Sequence, residues 1–239
     1  MKEYNAIYHF ISKRKVDGEK TNDELFQQLI GIINEGRFIS YKEIESFGND
    51  ILLNKVVLKE RYPVCFYDTK LGDRKNLDYH MSKYSKFGIG IERKYVLEEG
   101  GNPVLYCYDS NDGRGGTEFY SIFKCLNCYF NSNNSGDNFT NAKNKYEELL
   151  KFVKSFNFTD KDVYYENEWR FIAKDEINGK PSGDFVVKKM IKDSRTAILV
   201  LIIPKEYKLK LTEEIQKIFN KIKKPKIITA EELLKAKGN

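Results

Sequence analysis

The chain has 239 residues, 41% of them hydrophobic and 32% charged, with a net charge of +6 from 41 basic and 35 acidic side chains. That composition is ordinary for a soluble protein and long enough to bury a full core. The longest apolar run, Ala197 to Ile203, is far too short to span a bilayer, and the opening Met1-Lys-Glu-Tyr-Asn-Ala has no apolar leader; a cytoplasmic protein without a membrane segment is expected.

Ala6 to Phe10 reads as a strand. Thr21-Asn-Asp-Glu24 is a capping box, in which hydroxyl and carboxylate satisfy exposed backbone donors reciprocally. Leu25, Leu29, Ile32 and Ile33 then recur at helical spacing up to a stop at Gly36. Val64 to Tyr67 predicts a strand, Leu77 to Tyr84 a short helix or turn, and Gly88 to Ile91 a further strand. Gly88 and Gly90, two apart, leave one face of that strand bare for another element or a ligand. Val104 to Tyr108 follows the turn sequence Gly100-Gly-Asn-Pro103.

Residues 109–116 and 131–137 read as polar loops, and Phe119 to Phe130 as apolar and helical. Asn141 to Ser155 predicts a helix with Tyr146, Leu149, Leu150 and Val153 on one face. Tyr164 to Ala173, Asp184 to Val187 and Ala197 to Ile203 are strands without long helices between them. The chain closes with a helix around Thr212 to Lys223 and a second capping box, Thr229-Ala-Glu-Glu232. This order implies an α+β fold: a largely antiparallel central sheet with flanking helices, in a single domain over residues 1–239.

The chemistry is concentrated in a few places. Glu166, Glu168 and Arg170 alternate on one strand face, with Trp169 and Phe171 on the other. Such a face is either a salt-bridged surface or the floor of a cleft; in both cases Trp169 and Phe171 are expected in the core and the charged trio on the more open side. His9 lies on the first strand, and His80 precedes Tyr84 by one helical turn, so imidazole and phenol share a face. Cys125 and Cys128 form a lone C-x-x-C, with Cys65 and Cys107 far upstream and no short histidine–cysteine pair, so no metal site is expected. From Lys205 onward there are ten Lys and five Glu, but no Arg. Nucleic acid and an acidic partner both suit a basic face, but lysine without arginine favours a solvated helix with Leu211, Ile215, Ile218, Phe219 and Ile222 as its docking stripe. The P-loop, H-E-x-x-H and G-x-S-x-G motifs are absent.

Tyr8-His9-Phe10, Cys65-Phe66-Tyr67-Asp68, His80-Met81 with Tyr84, Phe87-Gly88-Ile89-Gly90, Asn102-Pro103-Val104 and Glu166-Asn167-Glu168-Trp169-Arg170, in that order, resemble the AbiGi family of bacterial abortive-infection proteins. Residues beyond about 205 add nothing to the match. The resemblance implies phage defence, with a cognate toxin as partner. A more distant resemblance, to ADP-ribosyltransferases, implies NAD as substrate. Under it Glu168 and Glu166 would be catalytic, His9 would anchor a ribose, and Tyr84, His80 and Arg170 would complete the cofactor site. His9 stands where that pattern usually has arginine, and the S-T-S motif is missing. The two implied functions are therefore an NAD-using effector and a catalytically inactive antitoxin that restrains a toxin.

Overall fold

The computed structural model describes residues 4–15, 17–38, 43–50, 55–61, 63–108, 122, 125–126, 129–130, 136–150, 153–156, 167–172, 176–177, 180–181, 185–186, 196–220 and 223–235. Seven of the described strands form one sheet: β1 (Ala6–Phe10), β2 (Pro63–Tyr67), β3 (Gly88–Glu92), β4 (Asn102–Pro103), β5 (Glu168–Ile172), β6 (Ile198–Ile203) and β7 (Lys226–Thr229). Their spatial order is β7-β6-β3-β1-β2-β5-β4, and every pairing is antiparallel except β6 with β7. The fold is thus α+β with a mostly antiparallel sheet.

Helices cover both faces. On one, α1 (Asn22–Glu35) and α5 (Lys208–Ile218) pack Leu25, Phe26, Leu29, Ile33, Leu211 and Ile215 against Ile7, Phe66, Ile89 and Leu201. On the other, α2 (Arg74–Lys83) and α6 (Ala230–Lys235) pack Leu77, Met81 and Leu233 against Tyr8, Tyr67, Val200 and Ile202. Two-sided cover explains the continuous apolar sequence of β6: both sets of alternating side chains are removed from water.

The local signals act as expected at both capping boxes. Thr21 accepts from the Glu24 N–H, the Glu24 carboxylate accepts from the Thr21 N–H, and Gly36 ends α1 in the left-handed region at φ 61°. Thr229 and Glu232 repeat the exchange at α6, where the Thr229 N–H holds the Glu232 carboxyl below its ordinary range.

Elsewhere tertiary pairing moves the boundaries. The helix expected over 141–155 is α4 (Asp137–Leu150), and Val153–Phe156 leaves it to pair in parallel with Leu105–Tyr108. A partner strand completes that ladder, which outweighs the apolar spacing that carried Val153 into the helix. The helix expected to begin near Thr212 starts at Lys208, continuous with a 3-10 turn over Lys205–Tyr207. Strand β7 was not anticipated: Lys226–Thr229 is short, and it becomes a strand only by pairing with β6 across α5. Beyond the sheet, Glu43–Asp50 and Lys55–Arg61 form an antiparallel pair. The loop expected at 109–116, and most of 119–137, lie outside the described residues.

Gly88 and Gly90 do leave one face of β3 bare, and the protein fills it itself. A Cβ on Gly90 would lie 2.7 Å from the Tyr8 ring, and one on Gly88 would lie 3.2 Å from the Phe10 ring. Gly90→Ala should therefore destabilise the protein by about 1–3 kcal/mol through overpacking, read from the midpoint of urea unfolding. An unchanged midpoint would mean that Tyr8 shifts without cost.

Candidate functional site

The sheet divides the expected site residues between its two faces. His9 lies with Ile7 and Ile11 on the α1 side, its ring 4.9 Å from Phe38 and 5.8 Å from Phe66 in edge contacts. Its Nδ1–H donates to the Cys65 carbonyl at 2.8 Å, which leaves Nε2 unprotonated in the neutral ring. Burial pulls its pKa down to about 4, against a smaller upward effect of that hydrogen bond. The imidazole is thus packed among aromatic rings and hydrogen-bonded within the protein.

His80, Tyr84, Glu168 and Arg170 belong to the α2 side. The His80 ring is enclosed, stacked on Phe10 at 5.5 Å and 4.3 Å from Tyr67. Tyr67 donates its hydroxyl to that of Tyr84 at 2.6 Å. Strand register sets Glu168 opposite Tyr67 and Arg170 opposite Cys65, which places both charges on the same side as this aromatic group. The convergence expected of His9, Tyr84 and Glu168 is corrected accordingly: the last two share a face, and the sheet separates His9 from them. Glu166 lies outside the described residues.

Exposure on β5 also reverses the expected pattern. Glu168 is 4% and Arg170 0% exposed, whereas Trp169 and Phe171 are only half-buried at the edge of the other core. The reason is the two-sided cover: α2 and its flanking loop close over the face that alternation alone would leave to water. The Arg170 Nε donates to Glu168 Oε1 at 2.7 Å, so the carboxylate is held as an ion-pair partner. Its neighbour Asn167 adopts φ 37°, a conformation that asparagine tolerates better than most residues, and its carbonyl accepts from the Asp68 N–H.

Where β2 and β5 end, this geometry opens a cleft of about 500 Å³ between the loop after β2, the start of α2 and the chain around β4. Asp68, Asp73 and Glu168 supply carboxylates to its wall, and Lys70 supplies a cation. Asp68 is paired with Arg93, whose guanidinium lies 5.7 Å from the centre of the Trp169 ring, and Asp73 caps α2 through the Asn76 N–H. Sequence reasoning named Asp68, Asn102-Pro103-Val104 and Asn167 as motif residues without giving them a role. Thr69 and Asn76, also on the wall, it missed: both are short polar residues in a loop and a helix start, where capping is the usual explanation.

Among the described residues no group of three or more metal-binding side chains occurs; Cys65 is buried and Cys125 exposed, and neither is in a disulfide. No helix among them is long and apolar enough to cross a membrane. Only part of the lysine-rich end is the expected helix, since Lys226–Thr229 joins the sheet; on α5, Lys208 reaches Glu232, Lys210 reaches Asp23 and Lys217 reaches Glu214, while Leu211, Ile215 and Phe219 are buried. Ile222 of the expected stripe lies outside the described residues.

A family model described as "Putative abortive phage resistance protein AbiGi, antitoxin" matches residues 41–220. The chain belongs to the AbiGi family. No curated protein and no solved structure matches it. Membership in AbiGi carries abortive phage resistance as the setting and an antitoxin as the described role.

Two outcomes follow from these burials. Arg170→Met should cost about 3–5 kcal/mol because it strands the buried Glu168 carboxylate, while Glu168→Leu combined with Arg170→Met should recover most of that loss. Equal destabilisation by the single and the double variant, in urea unfolding, would refute the account. For His9, the folded pKa lies below the unfolded value of 6.5, so the unfolded chain takes up the proton first. Stability should be full above about pH 6.5 and fall by up to about 3 kcal/mol as the pH drops towards 4. His9→Phe, followed by urea unfolding across that window, should flatten this part of the profile; an unaltered slope would assign it to other groups.

Proposed function

We propose that this AbiGi chain acts as an antitoxin that restrains a cognate toxin by binding it, without consuming NAD. The observation that carries the reading is the disposition of Glu168 and His9. Cleavage of a nicotinamide glycoside needs a carboxylate free to stabilise developing positive charge, and a ribose anchor on the same surface. Here the Glu168 carboxylate is committed to Arg170 within the protein, and His9 faces the opposite side of the sheet. The family description, which names an antitoxin, points the same way.

The second reading is an ADP-ribosyltransferase-like effector that uses NAD. It draws on the alternating Glu166 and Glu168 and on the nearby Tyr84 and His80, and a transferase-like fold belongs with it. To work, it would require Glu168 to leave Arg170 and face a bound ribose, at the cost of stranding a buried guanidinium. The binding reading needs no such rearrangement.

The test is co-expression of the chain with a candidate toxin from a neighbouring gene, scored by growth, together with an NAD-consumption assay on the purified protein. We expect growth rescue, co-purification of the two chains, no NAD turnover, and full rescue by a folded His9→Phe variant. NAD turnover by the parent that disappears in that variant, accompanied by loss of rescue, would replace the antitoxin reading with the enzymatic one.

A further inference from the structure

The cleft at the ends of β2 and β5 contains two polar side chains that the fold does not satisfy. Thr69 and Asn76 are 4% and 5% exposed, and the Thr69 Oγ1 and Asn76 Oδ1 atoms are enclosed without a hydrogen-bond partner. Both residues line the cleft. Buried polar groups are almost always paired, because desolvating one without a new bond is unfavourable; two on one cavity wall mark a place where bonds are left for something else to make. A volume of about 500 Å³ is within the range of small-molecule sites and far above that of a single water.

The rest of the lining limits the chemistry of the occupant. Pro103, Val104 and Tyr106 add apolar and aromatic lining that suits a flat ring. Among the described lining residues there are three carboxylates and one cation, Lys70, and two of those carboxylates are already matched by Arg93 and Arg170. These described groups are electrostatically near balance, and they include no cluster of arginines or lysines such as proteins use to hold phosphate. Asn76 carries a carboxamide, a donor and an acceptor side by side, which is the pattern that pairs with the edge of a nucleobase. Thr69 adds a hydroxyl able both to donate and to accept, suited to a sugar hydroxyl.

We propose that this cleft is a binding site for an uncharged nucleoside, with the base against Tyr106 and Pro103 and its polar groups on Asn76 and Thr69. Occupancy of the cleft would give the protein a small-molecule input in addition to its protein partner.

Adenosine, guanosine, cytidine and uridine, each beside its 5′-monophosphate, can be titrated into the full-length protein by saturation-transfer difference NMR. At least one nucleoside should bind saturably, and more tightly than its monophosphate. Thr69→Val keeps the shape and removes an unpaired hydroxyl. It should weaken binding about tenfold while leaving the melting temperature unchanged or higher, a combination that a merely structural threonine would not give. Asn76→Leu supplies the second variant and should weaken binding at least as much. The proposal is overturned if no nucleoside saturates, if a monophosphate binds more tightly than its nucleoside, or if both folded variants bind like the parent. Failure of this site would leave the antitoxin reading intact, since growth rescue does not depend on it.

Discussion

The constraint on which the rest of the molecule depends is that its central sheet is covered on both faces. α1 and α5 close one side, and α2 and α6 close the other, so both alternating sets of positions on the middle strands are largely removed from water, with His9 half-buried. In a one-sided sheet the polar half of each strand would be solvated. Here every polar group on β1, β2, β3 or β5 must find a partner inside the protein or lie at a strand end. His9 meets the requirement by remaining neutral and donating to Cys65; Glu168 and Arg170 meet it by pairing with each other.

The same constraint shapes the packing between strands. Gly88 and Gly90 have no side chains to contribute to the α2 side, and the rings of Phe10 and Tyr8 from the adjacent strand take up that space. The aromatic layer then extends through Tyr67 and His80 to Tyr84, which ties β1 and β2 to α2. A charged pair enclosed in such a layer adds little net stability, because the desolvation of both ions offsets most of their attraction. What it does provide is register: Arg170 and Glu168 fit only with β5 set as it is against Cys65 and Tyr67.

With both faces closed, access to the interior is left to the ends of the strands. The cleft lies at such an end, bounded by the loop that follows Tyr67 and by the turn at Asn167. Asp68 bound to Arg93 and Asp73 bound to the start of α2 fix its rim from two directions. The cleft so framed holds unpaired polar groups, which binding to a protein partner alone does not explain.

Much of the local structure was legible in the sequence. The two capping boxes, the left-handed Gly36 stop, the apolar runs of β1, β2 and β6 and the docking stripe of α5 all rest on interactions within a few residues, so the sequence carries them directly. The motif order also disclosed the family, although Tyr8-His9-Phe10 lies outside the matched residues 41–220 and the match runs past the expected limit near 205. The alternation of Glu168, Trp169, Arg170 and Phe171 correctly separated two faces but could not say which was dry, because burial depends on what packs above a strand and not on the strand. For the same reason β7 and the strand at Val153–Phe156 were invisible: a short segment becomes a strand only when another presents its backbone. Nor could the sequence say that His9 and Glu168 stand on opposite sides of the sheet. Residues 159 positions apart meet or miss each other according to strand order and register, which long-range hydrogen bonding and the two cores decide together.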